Sequence, residues 1–394
     1  MYKKLCALFF IVLSYSCGSD DSSNYVAIDP YAAITATFGS NINPESLANY
    51  ANQSIPNYIT KDNTAGNPIT NKGATLGRVL FYDKNLSSNN TISCSSCHQQ
   101  ANAFSDTNIA SNGVNGTTGR HSMRLINTRF ANETKFFWDE RALNLETQTT
   151  MPIKDHGEMG FSGTNGDQNF NDLITKLNNI SYYRELFQFV YGSEEITEYK
   201  IQLALAQFIR SIQSFDSKYD IGRAQVANEG QPFPNYTPQE NQGKNLFLSP
   251  PVFDATGNRT SGGLGCAGCH AAPEFDINPN SGNNGIIGTI NGTGIDINNT
   301  RAPSLRDLVK PDGTTNGPMM HTGVITTLQA AIGHYGTINL APGNTNLDPR
   351  LRPNGFGQQL HLNAQEVNAV IAFLRTLSGN NVYTDVKWSN PFPN

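Results

Sequence analysis

Spare cysteine is what this chain lacks most clearly: only 6 of its 394 residues are cysteine, too few for a disulfide-built scaffold of this length. Charge is thin as well. Charged residues make up 15% and the formal net charge is −5, so no basic surface points to nucleic acid. Long apolar runs are missing apart from Leu5 to Leu13, which is too short for a permanent membrane span. Strand signals are few. Glycine (35) and proline (20) are plentiful instead, which predicts long irregular loops around a mainly α fold. The length allows two domains with separate cores.

The amino-terminal stretch has the layout of a targeting segment. Lys3 and Lys4 precede the apolar run, and Ser14-Tyr15-Ser16-Cys17 supplies a small-residue cleavage region. Cys17 followed by Gly18-Ser19-Asp20-Asp21 resembles the start of a bacterial lipoprotein. This predicts a signal peptide over 1–17, a lipid on Cys17 and attachment to a membrane. Simple secretion after ordinary cleavage is the alternative. Either way the chain is expected to be exported, as a periplasmic protein or an outer-membrane-anchored lipoprotein of a Gram-negative bacterium.

Two short runs carry the chemistry: Cys94-Ser95-Ser96-Cys97-His98 and Cys266-Ala267-Gly268-Cys269-His270. Each is C-x-x-C-H, the spacing at which two thiols add to the vinyl groups of one haem and the adjacent imidazole ligates its iron. A zinc site is the competing reading, but further ligands at finger-like spacing are missing. The cysteines are then all used. Cys6 leaves with the signal, Cys17 takes lipid, and Cys94, Cys97, Cys266 and Cys269 hold two covalent haem c groups.

The pattern divides into a polar segment over 18–65 read as a tether with a short helix, a first haem domain over 66–230, and a second over 237–380. Three helices are predicted between Phe170 and Ser214. In the last, Ile201, Leu205, Phe208, Ile209 and Ile212 share one face as core. Thr237-Pro238-Gln239-Glu240 opens a further helix with a capping box and proline in its first turn. Asn363 with Glu366 begins another, running to Leu377. Asp276 to Thr300 is Gly- and Asn-rich and reads as loop.

The order of motifs from about Asn71 to Gly379 resembles the bacterial dihaem cytochrome c peroxidase and MauG-type family. The most specific stretch is Phe137-Trp138-Asp139-Glu140-Arg141-Ala142, followed by Gln148, Pro152 and Glu158-Met159-Gly160. The resemblance implies two cytochrome c-like haem domains. It makes Glu158 the acid–base group and Gln148 the donor orienting peroxide, with Trp138 between the haems assisting electron transfer. A histidine that caps the first iron in related enzymes would fall at Gly113 and is absent, so that haem should be open without prior reduction. His121 stands where the family has an asparagine that helps hold an inter-haem calcium ion with backbone oxygens of a segment matching Arg301 to Pro303. Calcium is therefore left open.

The family count for the sixth ligand of the second haem, ligated below by His270, lands on Tyr335. His334, Met319 and Met320 are the alternatives. A phenolate there would lower the iron's reduction potential. The implied activity is reduction of hydrogen peroxide to water, with electrons from a donor such as a small cytochrome or cupredoxin. A MauG-type enzyme oxidising residues of a partner protein is the first alternative, and a pure electron-transfer dihaem cytochrome the second. His156 and His361 read as loop residues, and His321 belongs to the segment around the second haem.

Overall fold

The computed structural model describes residues 29–132, 135–277 and 279–393. The predicted signal segment and Cys17 lie outside the described residues. Among those described, twelve α-helices alternate with short 3-10 turns: α1 (Ala32–Phe38), α2 (Asn71–Tyr82), α3 (Cys94–Cys97), α4 (Leu145–Thr150), α5 (Phe170–Asn178), α6 (Ser181–Tyr191), α7 (Glu198–Ser211), α8 (Lys218–Arg223), α9 (Pro238–Leu248), α10 (Leu328–Gly336), α11 (Ala364–Arg375) and α12 (Asn381–Thr384). Strand is confined to three antiparallel two-stranded pairs. None of the helices is long and apolar enough to cross a membrane. The mainly α expectation holds.

Two helix pairs of matching construction organise the molecule. In the first, α2 crosses α7 at Gly77, where an added Cβ would collide with the backbone carbonyl of Ala204. One turn on in each helix, Phe81 meets Phe208 at 5.2 Å between ring centroids. In the second, α9 crosses α11 at Gly243 against the Ala369 carbonyl, and Phe247 meets Phe373 at the same 5.2 Å. Glycine lets the two backbones close to contact distance and the aromatic pair fills the wedge beside it. A C-x-x-C-H run follows the first helix of each pair. The predicted capping boxes form at Thr237/Glu240 and Asn363/Glu366, and the α7 stripe is buried.

Each helix pair sits in its own apolar core, but the cores do not follow the predicted boundaries. The tether reading fails for residues 29–65: Ile34, Phe38, Ile42 and Tyr50 are buried in the first core. These apolar residues are spaced among polar ones and look sparse in sequence, yet they cover the faces of α2 and α6. The second core begins at Tyr219, ahead of the predicted linker. Past residue 380 the chain returns to the first core with Val382 and Trp388, where Tyr82 and Arg78 donate to the carbonyls of Trp388 and Ser389 at 2.6 Å each. Helix α11 stops at Arg375, two residues short of expectation, because Thr376 turns its hydroxyl back to the Phe373 carbonyl.

Between the cores, Arg306 is fully buried and donates to Asp220 at 3.0 Å and to the Pro273 carbonyl at 2.9 Å. Asp220 also accepts from the Tyr58 hydroxyl at 2.7 Å. The described part of the Asp276–Thr300 region is mostly irregular as predicted, with Asp276–Ile277 paired against His270–Ala271 and an isolated bridge from Asn283 to Leu347.

Candidate dihaem site

The first motif is presented by the single turn of α3, capped reciprocally by Ser93 and Ser96. The second forms a 3-10 turn over Cys266–Gly268. All four thiols are unbridged. Burial, with a smaller contribution from the charge of Glu158, pushes Cys94 up to about 12 and Cys97 up to about 11. Burial likewise raises Cys266 to about 12 and Cys269 to about 11. Such thiols are poor free nucleophiles.

The first imidazole is oriented by the backbone that follows it. Phe104, in the left-handed region at φ 57°, turns its carbonyl to His98 Nδ1 at 3.1 Å. Phe275 adopts φ 55° at the corresponding point after the second motif, and its carbonyl and that of Pro303 flank His270. Burial lowers His270 to about 4, so the ring is neutral. At His98 the Nδ1 turned to a carbonyl keeps Nε2 free for a metal, whereas among the described residues His270 Nδ1 is buried without a hydrogen-bond partner.

A cavity of about 650 Å³ opens beside the second motif, lined by Cys266, Cys269, His270, Met319, Met320 and Tyr335 among others. His334 is not on its wall; it bonds the Asn284 carbonyl at 2.8 Å through Nε2. Burial raises the Tyr335 phenol, partly offset by Asn284. Asn284 Nδ2 lies 3.5 Å from the phenol oxygen and 3.1 Å from Met320 Sδ. The cavity thus brings Tyr335, Met319 and Met320 together with the second motif, and His334 is off its wall.

The segment His121 to Arg124 bridges the two motifs. Met123 and His121 face His98, while Arg124 acts on His270 from the other side. The same segment and Trp138 line the cavity. Trp138 is buried, its indole N–H donating to the His121 carbonyl at 2.7 Å. Its ring lies 6.2 Å from that of His321, whose Nε2 bonds the Gly288 carbonyl at 2.8 Å. Among the described residues, His121 Nε2 and Arg124 Nε are buried without a partner. Desolvation lowers Arg124 to about 10, the mark of a guanidinium short of counter-charge. A vacant buried donor at Arg124 Nε beside an apolar cavity, two thiols and a neutral imidazole match the carboxylates, vinyl edges and iron of haem. The residues present fit that group. Arg124 is a site residue that sequence reading missed, because no motif announces the partner of a group outside the chain.

On the first motif's side, Glu158 is half-buried. Burial first, and the negative charge of Asp155 second, push it up to about 7 against the pull of Arg141. Its backbone carbonyl accepts from Val114 N at 3.0 Å, and a Cβ added at Gly113 would collide with the Gly157 carbonyl. Position 113 therefore has no room for a capping side chain. Gln148 lies half-buried in α4, and among the described residues nothing holds its amide. His156 pairs with Asp167 at 2.8 Å, and His361 bonds Asn258 at the surface.

The resemblance leaves an inter-haem calcium ion open at the inter-motif junction, and the His121 side chain supplies no oxygen there. A hard cation wants converging oxygens. Here His121 turns Nδ1 to the Asn108 and Ile109 carbonyls, and Arg124 and Arg301 bring two guanidinium groups to the same cavity wall. Among the described residues no cluster of three or more His, Cys, Asp or Glu is suited to a metal ion.

Residues 71–226 match the family model described as di-haem cytochrome c peroxidase. The chain is 27% identical over 322 residues to the methylamine utilization protein MauG of Methylophilus methylotrophus, covering 79% of this chain and 84% of that protein. It is 28% identical over 322 residues to the cytochrome c551 peroxidase of Nitrosomonas europaea, covering 78% and 80%. Among solved structures, a MauG-like protein associated with microbial copper homeostasis superposes with a TM-score of 0.67 at 28% identity, over 86% of this chain and 99% of that one. The diheme peroxidase BthA of Burkholderia thailandensis shares the fold, with a TM-score of 0.57 at 20% identity over 86% and 90%. Fold and comparisons together point to an oxidoreductase. Over most of its length the chain is similar to dihaem cytochrome c peroxidases and MauG-type proteins, and residues 71–226 match the family's model.

Proposed function

We propose that this enzyme reduces hydrogen peroxide to two waters, taking two electrons and two protons per turnover, at the site built on Cys94, Cys97 and His98. The carrying observation is Glu158: a half-buried carboxyl, poised near 7, whose charge reaches both thiols of the first motif. Haem attached at each motif supplies iron that accepts peroxide and stores oxidising equivalents. Glu158 takes a proton from the inner peroxide oxygen and returns it to the outer one, which leaves as water. The unheld amide of Gln148 orients the peroxide. Gly113, packed on the Glu158 backbone, keeps the approach clear without prior reduction.

The second unit, with its haem on Cys266, Cys269 and His270, receives electrons from an external donor of the small cytochrome or cupredoxin class. With haem bound there, Tyr335 would be a further ligand, Arg124 would pair with a carboxylate of the group, and Trp138 would lie on the route between the two sites. An exported chain, with a lipid on Cys17, would be reached by such donors. The test is direct. The purified protein should carry two covalent haems and consume peroxide stoichiometrically with a reduced donor; fewer than two haems, or absorption bands unmoved by peroxide, would overturn the reading.

One observation favours a second reading. A phenolate at Tyr335 stabilises oxidised iron and weakens a relay fed by a high-potential donor, as expected of a MauG-type enzyme that oxidises residues of a partner protein. Turnover with reduced cytochrome separates the two. Tyr335→Met should raise the second haem's potential and change its spectrum; an unchanged spectrum would place the ligand elsewhere.

A further inference from the structure

Away from both motifs, the seam between α2 and α6 gathers two tyrosines on one buried carboxylate. Asp83, at the end of α2 and 4% exposed, accepts at Oδ2 from the Tyr182 hydroxyl and from the Tyr183 hydroxyl, each at 2.7 Å. Its Oδ1 takes the backbone N–H and side-chain amide of Asn85 at 2.8 and 2.9 Å. Four donors converge on the one carboxyl group. The two phenol rings are 4.8 Å apart and inclined by 43°.

The pair is graded from inside to outside. Tyr183 is fully buried in the first core, against which Cys94 packs. Tyr182 is half-exposed, with edge contacts to Phe38 at 5.3 Å and Phe392 at 6.2 Å. A purely structural role, bolting α6 to α2, needs one hydroxyl on Asp83. Two phenols on the same oxygen, stepping outward from a haem-attachment cysteine, form a route.

We propose that Tyr183 and Tyr182 are a redox-active pair, with Asp83 as proton acceptor, carrying an oxidising equivalent from the first haem site to the surface when no reduced donor is at hand. The inference rests on that site reacting with hydrogen peroxide, which is the oxidant. Tyr183 gives one electron to the peroxide-oxidised site. Its O–H bond breaks, and the proton crosses 2.7 Å to Asp83 Oδ2, leaving a neutral tyrosyl radical beside a carboxylic acid. An oxidised phenol is a very strong acid, so the electron leaves readily only where a base stands ready. Tyr182 then passes an electron to Tyr183 while its own proton goes to Asp83 and Asp83 returns one to Tyr183. The net result moves the radical one ring outward with Asp83 still protonated.

The experiment is freeze-quench electron paramagnetic resonance on the as-purified holoenzyme after one equivalent of hydrogen peroxide, without donor. The expected result is a tyrosyl signal that narrows when the protein is made with ring-deuterated tyrosine. It should fall at least tenfold in Tyr183→Phe and change line shape in Tyr182→Phe. Asp83→Asn should lower its yield with both haems retained. A Soret band that responds to peroxide with no organic radical in the parent protein would overturn the pair alone, as would an undiminished signal in the double phenylalanine variant. A Soret band indifferent to peroxide would remove the reading of the first site, and this route with it. The deuterium measurement uses the unmutated protein and so stands even if a variant folds poorly.

Discussion

At the scale of single residues, Glu158 ties stability to chemistry. Its carboxyl titrates near 7 in the folded chain against an ordinary value of 4.5. Between those values the folded state keeps a proton that the unfolded state has released, so stability falls as pH rises through this window and the deficit is complete above it. Glu158→Gln should therefore melt no lower than the parent at pH 8 and match it near pH 4, while peroxide turnover drops ~10²-fold or more. A variant that melts lower at pH 8, or keeps its turnover, would remove the residue from this role. The parent's peroxide reaction should quicken with pH through an ionisation near 7 that the variant lacks. The attachment residues were legible because haem demands them at adjacent positions. The burial that shifts Glu158 was not, since it comes from Asp155 and distant packing. Arg124 was invisible for a different reason: its counter-charge belongs to a group the chain does not encode.

At the scale of elements, the two glycine crossings should be unforgiving. Gly77→Ala and Gly243→Ala each put a methyl group into a backbone carbonyl, and forcing the helices apart should cost about 1–3 kcal/mol, read as a lowered unfolding midpoint. Gly333 in α10 has nothing near its would-be Cβ, so Gly333→Ala should gain about 0.5–1 kcal/mol from helix propensity alone. Equal effects at all three positions would deny the crossings their special character. Helices α5 to α7, α9 and α11 could be read from apolar spacing and capping boxes, which are local signals. Which helix crosses which could not. A glycine inside a helical pattern reads as a weakness until the facing carbonyl is seen.

At the scale of the whole molecule, the Arg306–Asp220 pair of the second half meets the first through the Tyr58 hydroxyl and the Ser214 carbonyl. Removing the guanidinium in Arg306→Leu would leave Asp220 buried and uncompensated, at about 3–5 kcal/mol. Limited proteolysis between residues 212 and 237 should then speed up before either haem band changes; unaltered cleavage would show that the halves are held elsewhere. The domain limits were the least legible feature, because proline- and asparagine-rich stretches mark where the chain bends and carry no record of which core receives it. Trp388 makes the point, returning to the first core from the far end of the sequence. Any chain that emerges amino-terminus first, from ribosome or export pore, must therefore wait for its final stretch before the earlier core has a roof. Until then Gln100, two residues past the first motif, lacks the Val382 and Asp385 carbonyls to which it donates, and that flank of the motif stays uncovered.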